Sequence, residues 1–571
     1  MATIMRPWTL PTCTAIQLRP TGVCSCIARR RILYQDRAAM RWNGTRFQST
    51  TVGATSRVPG ATVPPRNLVR GRWEPIIGLE IHAQIKSRSK LFSDSRNAFN
   101  AAANTNVSLI DAAYPGTLPH LNQECVDLAI KTALALDAHV YPVSSFDRKH
   151  YFYPDLPQGY QITQHYEPLA QNGRVELSPL DGLEYSLTVG IEQLQLEQDT
   201  GKSLHDIYPG LTLLDLNRAG TGLMEIVTKP DLRSSKEAGV VVKKLQALLR
   251  AVDSSDGNMD EGSMRCDVNV SIHEIDKPYG ARCELKNLNS IKSVMDAIDA
   301  EIERQIELYE SDIVVAQETR GFDASTGKTY RIRSKESAPD YRYMPEPDLP
   351  RLVLGRETIQ ELKDSLPELP DARRDRIMKS YGLGMIETRT LMGEEGMVEY
   401  FETVVSKGRQ VKSVISWTIH ELLGRLHSRN INFTPEIVTA AQLGTLVDCV
   451  DQGLISAKVG KNVLNLMVEG DSRSASEIVE EKGWRQMDNQ SELGQMCDAI
   501  MAQYPDKVKI VQKGNVGVLG FFVGQIMKES QGRANPVALS EILRVKMGLP
   551  SGVAADANSF TGKVDKKYKS K

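Results

Sequence analysis

The residues best suited to chemistry are acids that recur on the polar sides of alternating segments. Ile77, Leu79, Ile81, Ala83 and Ile85 alternate with Gly78, Glu80, His82, Gln84 and Lys86, the pattern of a half-buried strand. In 265–273, Cys266, Val268, Val270 and Ile272 oppose Arg265, Asp267, Asn269, Ser271 and His273; in 281–286, Ala281, Cys283 and Leu285 oppose Arg282, Glu284 and Lys286. A fourth segment, 186–199, breaks its alternation around Glu192, after which Gln193, Gln195, Glu197 and Asp199 share a face, as a β-bulge would produce. If these strands share one sheet, the carboxylates converge on a site of the Mg²⁺ type, with oxygen ligands completed by water and substrate phosphate. The same alternation also describes a sheet with one solvated face, and taken alone it favours that plainer reading.

Two segments mix aromatics with charge. Asp147-Arg148-Lys149-His150-Tyr151-Phe152-Tyr153-Pro154-Asp155 suits a nucleotide or an RNA 3′ end, through stacking and phosphate pairing, or else an aromatic strand entering a proline turn. Arg333 to Glu336 running into Asp340–Asp348 is similarly mixed, and also fits a salt-bridged surface loop. Gly321 to Thr329 departs from a P-loop by one residue too many between its glycines, so a hairpin tip is expected. There is no GxGxxG opening a helix, no GxSxG, and no Gly/Ser-rich amidase stretch that would release ammonia from glutamine.

The elements that must hold these residues are strands from Trp73 to about residue 350, interrupted by two helices. Ser234 with Glu237 signals a capped helix over 235–253, and Ile291, Val294, Met295, Ile298, Ile302 and Ile306 stripe a second over 290–310. Leu366-Pro367-Glu368-Leu369-Pro370 reads as a linker. Beyond it, helices are expected near 371–381, 395–406, 411–428, 434–450 and 455–467, with more after Ser474. The fold class is α+β: a sheet-containing domain over 71–366, an all-helical domain over 367–470 and a small helical tail domain over 471–550. In the tail, Gly517, Gly520 and Gly524 read as close-packing positions in apolar helices.

Charge is unevenly spread. Residues 1–70 hold 11 Arg, no Lys and one acid, Asp36, leaving 59 basic against 70 acidic residues, net −11, for 71–571. An Arg-rich, Ser/Thr-rich, acid-poor leader is the composition of a mitochondrial presequence, with cleavage expected near Arg46–Ser49; a basic arm for nucleic acid is the other reading. Residues 551–571 end in a short basic tail without folding signals. The acidic remainder argues against RNA binding by bulk charge, so RNA contact must use local basic patches. The eight cysteines show neither metal-ligand spacing nor a disulfide framework, which fits a reducing compartment such as the matrix. No run approaches the roughly 18 apolar residues of a membrane span, so no membrane insertion is expected.

Seven segments, in order, carry a family resemblance: GLEIH (78–82) with Ser87 to Ser93, DRKHYFYPDLPQGYQITQ (147–164), LEQDTGKS (196–203), LNRAGTGLMEIVTKPD (216–231), SDGNMDEGSMRCDVNVSI (255–272), CELKNLNS (283–290) and RSKESAPDYRYMPEPDLP (333–350). Together they resemble the B subunit of the glutamyl-tRNA(Gln)/aspartyl-tRNA(Asn) amidotransferases, over roughly residues 73–548. The resemblance implies a cradle-shaped catalytic domain that uses ATP and Mg²⁺ to phosphorylate the glutamyl side chain of Glu-tRNA(Gln), after which ammonia displaces phosphate. It implies catalytic Glu80, His82, Glu197 and Glu284, and a metal set of these four with Asp267. Arg265 and Lys286, from the strand faces, become phosphate partners. The resemblance further implies Lys149 and Glu197 along an ammonia channel, a separate glutaminase A subunit, a small third clamp subunit, and a tail that touches tRNA. Tyr151, Tyr153, Lys513, Lys528 and Arg533 are the tRNA-contact candidates. Where many bacterial relatives carry Cys-x-x-Cys this chain has Ser108 and Asp111, so no zinc is expected there; Gly222 and Lys229 also depart from the usual residues. Two other functions remain open: a tRNA-binding scaffold without catalysis, which need not keep Glu80, Glu197, Asp267 and Glu284 together, and an ATP-grasp-like ligase acting on a small molecule, which would turn over ATP without tRNA.

Overall fold

The computed structural model describes residues 67–334, 340–486, 489–530 and 532–549. The expected leader (all but its last four residues), the basic tail and Lys335–Glu336 of the mixed loop lie outside them.

The chain divides at Leu369/Pro370 into two compact units. In the first, the strands are β1 (Trp73–Gln84), β2 (His139–Val140), β3 (Val143–Ser144), β4 (Asp147–His150), β5 (Tyr160–Thr163), β6 (Ala170–Leu177), β7 (Leu187–Gln198), β8 (Lys202–Tyr208), β9 (Leu211–Asp215) and β10 (Gly222–Thr228). They continue as β11 (Met264–Glu274), β12 (Cys283–Lys286), β13 (Glu318–Asp323), β14 (Lys328–Ser334), β15 (Met344–Pro345) and β16 (Leu352–Val353). The helices are α1 (Gln123–Ala135), α2 (Ser235–Ala251), α3 (Ile291–Glu310) and α4 (Arg356–Asp364).

Nine strands form one sheet in the order β14-β13-β12-β11-β1-β10-β7-β6-β2. Its pairs are antiparallel except β12 with β13, where α3 supplies the long crossover that a parallel pair requires. The predicted alternation of β1 is obeyed: Ile77, Leu79, Ile81 and Ala83 are buried in one apolar cluster with Val241, Val242 and Leu245 of α2 and Val294, Ile298 and Ile302 of α3. The polar face is left for Glu80 and His82. The expected bulge is present: Gln193 pairs with Val227 and Ile191 with Thr228, leaving Glu192 extra. Gly321–Thr329 forms the β13–β14 hairpin, closed by Gly327 N donating to Asp323 O at 2.9 Å.

Helix α2 starts at Ser234, whose hydroxyl accepts from Glu237 N at 3.2 Å. The reciprocal half of the expected capping box differs. The Glu237 carboxylate reaches one residue further back, to Arg233 N at 2.6 Å, and also accepts from Asn67 Nδ2 at 2.8 Å and from the Tyr185 hydroxyl.

The second unit is helical, beginning with Pro370–Tyr381, and its apolar side chains form two separate clusters, one from Ile377 to Val479 and one from Leu493 to Met547. The segment expected as one helix over 411–428 carries a π-helical stretch, Ser416–Leu423, between α-helical Val411–Ile415 and Gly424–Ser428. Two of the three tail glycines are not close-packed: a Cβ at Gly524 would meet no atom within 4 Å, and one at Gly517 only Asn515 Oδ1 at 3.4 Å. No described helix is long and apolar enough to cross a membrane.

Candidate active site

Strand register builds the site. Gln195 of β7 pairs with Glu225 of β10, Glu225 with His82 of β1, and His82 with Arg265 of β11, forming one cross-strand row. Glu80 sits opposite Asp267 in the next row. These strands belong to a sheet whose other face is the apolar core, so the polar residues of successive strands stand together by the two-residue period.

His82 Nε2 is the hub. Glu197 Oε1 and Glu225 Oε2 each lie 3.7 Å from it and Glu80 Oε1 3.8 Å. One ligand atom each from Glu80, His82 and Glu225 fall within 4.8 Å of one another. Burial pulls the His82 imidazole down, but Glu225, Glu197 and Glu80 outweigh it and raise it to about 9. Burial pushes Glu225 up, yet His82 and Lys149 hold its carboxyl at about 2. Burial, and then the Glu225 charge, raise Glu80 above the carboxylate range. Burial likewise raises Glu197, only partly offset by Lys149.

Glu197 is 2% exposed, and its Oε2 is a buried oxygen with no hydrogen bond. It faces Lys149 Nζ at 3.6 Å, while Oε1 accepts from Gln161 Nε2 at 2.9 Å. Gln195 Nε2 donates to Glu225 Oε2 at 2.8 Å. A buried oxygen left without a donor is costly unless a cation or proton answers it. Lys149 is the cation that faces this oxygen, and the carboxylates converging on His82 Nε2 form a donor set that fits a divalent cation held by a neutral imidazole.

Asp267 and Glu284 gather around a different cation. Lys286 Nζ lies 2.5 Å from Asp267 Oδ2 and 3.1 Å from Glu284 Oε1. Glu284 Oε2 also accepts from Thr319 Oγ1 at 2.9 Å and faces Arg333 Nη2 at 3.9 Å. These contacts hold the Glu284 carboxyl below its usual range against the opposing effect of burial. Arg265 is occupied too: its Nη2 is 2.8 Å from Asp199 Oδ1, and Arg218 Nε is 3.4 Å from Asp199 Oδ2. A cavity of about 220 Å³ opens beside Glu80 and Glu284, with Arg282 and Arg333 in its wall.

The residues expected from the sequence thus fall into groups. Glu80, His82 and Glu197 meet at one point; Asp267, Glu284 and Lys286 form the adjacent ion-pair cluster; Arg265 stands at the end of the His82 row. Tyr151 packs edge-on against Tyr153, with centroids 5.5 Å apart, and against Tyr341 at 6.2 Å. The tail candidates lie in the second unit: Lys513 caps helix Pro505–Gln512, Lys528 lies in the last turn of helix Leu519–Glu529, and Arg533 donates to the backbone oxygens of Ser530 and Gly483. Glu225 went unnamed in the sequence. Its signal was a lone acid in the apolar run Leu223-Met224-Glu225-Ile226-Val227, because a carboxylate in a buried strand needs a partner.

Ser108 and Asp111, which stand in place of a Cys-x-x-Cys pair, are engaged within the protein. Lys90, fully buried, places Nζ 2.9 Å from Asp111 Oδ2, which also accepts from Ser108 N at 2.9 Å.

Residues 75–360 match the family model described as the GatB/GatE catalytic domain, and residues 399–547 match the GatB domain model. The chain is 48% identical over 481 residues to the B subunit of the aspartyl/glutamyl-tRNA(Asn/Gln) amidotransferase of Acidiphilium cryptum, covering 84% of this chain and 98% of the relative. It is 46% identical over 499 residues to the protein of the same name from Rhodopseudomonas palustris (86% and 100%), and 46% identical over 478 residues to that of Rickettsia canadensis (84% and 98%).

Proposed function

The chain belongs to the GatB/GatE family, and from that premise we propose that it is the subunit that activates and amidates the side chain of glutamate misacylated on tRNA(Gln). The observation that carries this reading is the convergence of Glu80, His82 and Glu225 within 4.8 Å beside the buried Glu197.

A glutamyl carboxylate is a poor electrophile, because its charge is delocalised and its leaving group would be oxide. Transfer of the terminal phosphoryl of ATP to a carboxylate oxygen gives an acyl phosphate and ADP; attack by ammonia then forms the amide and expels phosphate. Phosphoryl transfer depends mainly on positioning and charge neutralisation. Glu80, His82, Glu225 and Glu197 would hold a Mg²⁺ ion, which when bound neutralises phosphate charge. Asp267 and Glu284 keep Lys286 at the rim, where its ammonium can be shared with a phosphate oxygen, and Asp199 does the same for Arg265. Arg282 and Arg333 make the wall beside Glu80 suitable for the rest of the triphosphate. Lys149, 3.6 Å from Glu197 Oε2, orients that carboxylate.

No amidase machinery is seen in the sequence, so ammonia comes from a partner glutaminase A subunit, with a small third subunit holding the pair. The Arg-rich leader supports a mitochondrial matrix setting, and there Glu-tRNA(Gln) is the substrate. The test is amidation of Glu-tRNA(Gln) and Asp-tRNA(Asn), side by side, by the purified assembly with ATP and Mg²⁺. Amide formation on Glu-tRNA(Gln) is expected. ATP turnover indifferent to tRNA would instead favour a small-molecule ligase.

A further inference from the structure

Next to the catalytic acids stands a chain of aromatic rings that the metal chemistry does not use. Lys149 Nζ, 3.6 Å from Glu197 Oε2, also lies 5.4 Å from the centroid of Tyr341. Tyr341 meets Tyr343 at 6.0 Å; Tyr343 stacks on His165 at 3.8 Å with 6° between ring planes; His165 meets Tyr166 edge-on at 4.9 Å. The outer end of this series is open. His165 is exposed, and Tyr166 is 61% exposed, although a large ring is ordinarily better buried.

The rings are held in place from below. Buried Asp147 accepts from the backbone N–H of both His165 (2.9 Å) and Tyr166 (3.0 Å), fixing the turn that presents them. Arg148 grips Glu346 through two hydrogen bonds of 2.7 and 2.8 Å, and His150 N donates to Tyr341 O at 2.8 Å, fastening the segment that carries Tyr341 and Tyr343 to β4. A parallel aromatic pair with one end in solvent, held by buried polar contacts, is pre-organised to accept one more flat ring.

We propose that Tyr343, His165 and Tyr166 form the stacking platform for the unpaired terminal adenosine of the aminoacyl-tRNA. This rests on the function proposed above, and adds where the RNA end is seated. The amino acid is esterified to that adenosine, so an adenine on the platform starts its glutamyl group along the line Tyr343, Tyr341, Lys149, Glu197. Stacking asks only for a π-face and suits an acidic chain that cannot hold RNA by net charge.

The test measures equilibrium binding of uncharged tRNA(Gln), with and without its terminal adenosine, to the intact complex, alongside amidation by the same preparations. Wild type should bind the full-length tRNA about tenfold more tightly than the truncated one. His165→Ala/Tyr166→Ala should bind both equally, at the level of the truncated tRNA, with a raised KM for Glu-tRNA(Gln); Tyr166→Phe, which keeps the ring, should restore the difference when His165 is intact. A double variant that still distinguishes the two tRNAs overturns the proposal, as does a wild type indifferent to the adenosine. A variant whose KM rises for ATP in place of tRNA overturns it too, assigning the platform to the nucleotide cofactor's adenine. Absence of tRNA amidation by the wild type would refute the underlying function, an outcome read separately from the binding difference.

Discussion

Glu225 stands directly opposite His82 in the β1–β10 ladder, with its Oε2 3.7 Å from His82 Nε2. The pair forms the centre of the site: the carboxylate is held at about 2 and the imidazole at about 9, so each is charged at neutral pH and each depends on the other. Glu225→Gln is therefore expected to lower amidation by at least about a hundredfold, as removal of several kcal/mol of charge stabilisation would. Glu80→Ala and Glu197→Ala should do the same while the complex still assembles, which size-exclusion chromatography with activity assays will show. Wild-type rates in all three variants would remove the metal assignment.

Divalent-cation dependence should follow the same residues. Chelation by EDTA is expected to abolish amidation and added Mg²⁺ to restore it. A variant of the neighbouring cluster, Glu284→Ala, should raise the Mg²⁺·ATP concentration needed for half-maximal rate, because it removes one of the two carboxylates that position Lys286 and the one that faces Arg333. Initial rates over a Mg²⁺ titration distinguish the two patterns.

Ammonium chloride supplied in place of glutamine should support amidation by a complex whose partner amidase has lost its nucleophile. Product Gln-tRNA(Gln), measured after hydrolysis of the labelled ester, is the readout. Continued need for a working amidase would contradict placing the acyl chemistry on this chain.

Glu301 tests the fold away from the catalytic acids. Fully buried on α3, it accepts from Arg304 (2.6 and 2.9 Å), Gln305 (2.8 Å) and Thr329 (2.9 Å). Burial alone would raise its carboxyl, but Arg304 and these donors hold it below 4.5. A folded-state value depressed below the unfolded one gives stability that is present above the unfolded value and lost as pH falls through the folded one. Glu301→Gln should cost about 3 kcal/mol at pH 7, and the gap in thermal midpoint from wild type should narrow as pH drops below 4.5. A gap independent of pH would show that the carboxylate charge contributes nothing.

Lys90 and Asp111 should act as one unit. Lys90→Met leaves Asp111 charged and buried and is expected to destabilise by about 3–5 kcal/mol, while joint replacement by Lys90→Met/Asp111→Leu should recover much of the loss. Denaturant titration of the four proteins of this cycle measures the coupling. A zinc-selective chelator should leave the wild-type midpoint unchanged.

Much of this arrangement was legible in the chain. The alternation of β1 put Glu80 and His82 on one side, and Ser234 marked the start of α2. Other features depended on neighbours. Glu225 lies between residues buried on both faces of a central strand, so no alternation advertised it. Glu237, read as a capping-box partner of Ser234, instead serves Arg233, Asn67 and Tyr185, and Asn67 is distant in sequence. The π-helical turns at Ser416–Leu423 keep the same apolar content as an α-helix, so residue types alone did not announce them. The positions of Asp267 and Glu284 around Lys286 followed from which strands became neighbours, which a single strand's pattern does not contain.

The extra residue at Glu192 decides which side of β7 faces the apolar layer. Before it, the odd-numbered Val189 and Ile191 point into the apolar layer; after it, the even-numbered Leu194 and Leu196 do. Counting has changed parity, and only for that reason do Gln195 and Glu197 look toward His82. Regular pairing that kept all of these residues would turn Glu197 inward among leucines, whereas excision of Glu192 would remove the bulge and leave Glu197 on the His82 side, so the local register at a position that touches no catalytic atom governs whether the strand delivers an acid or a hydrocarbon to the reaction.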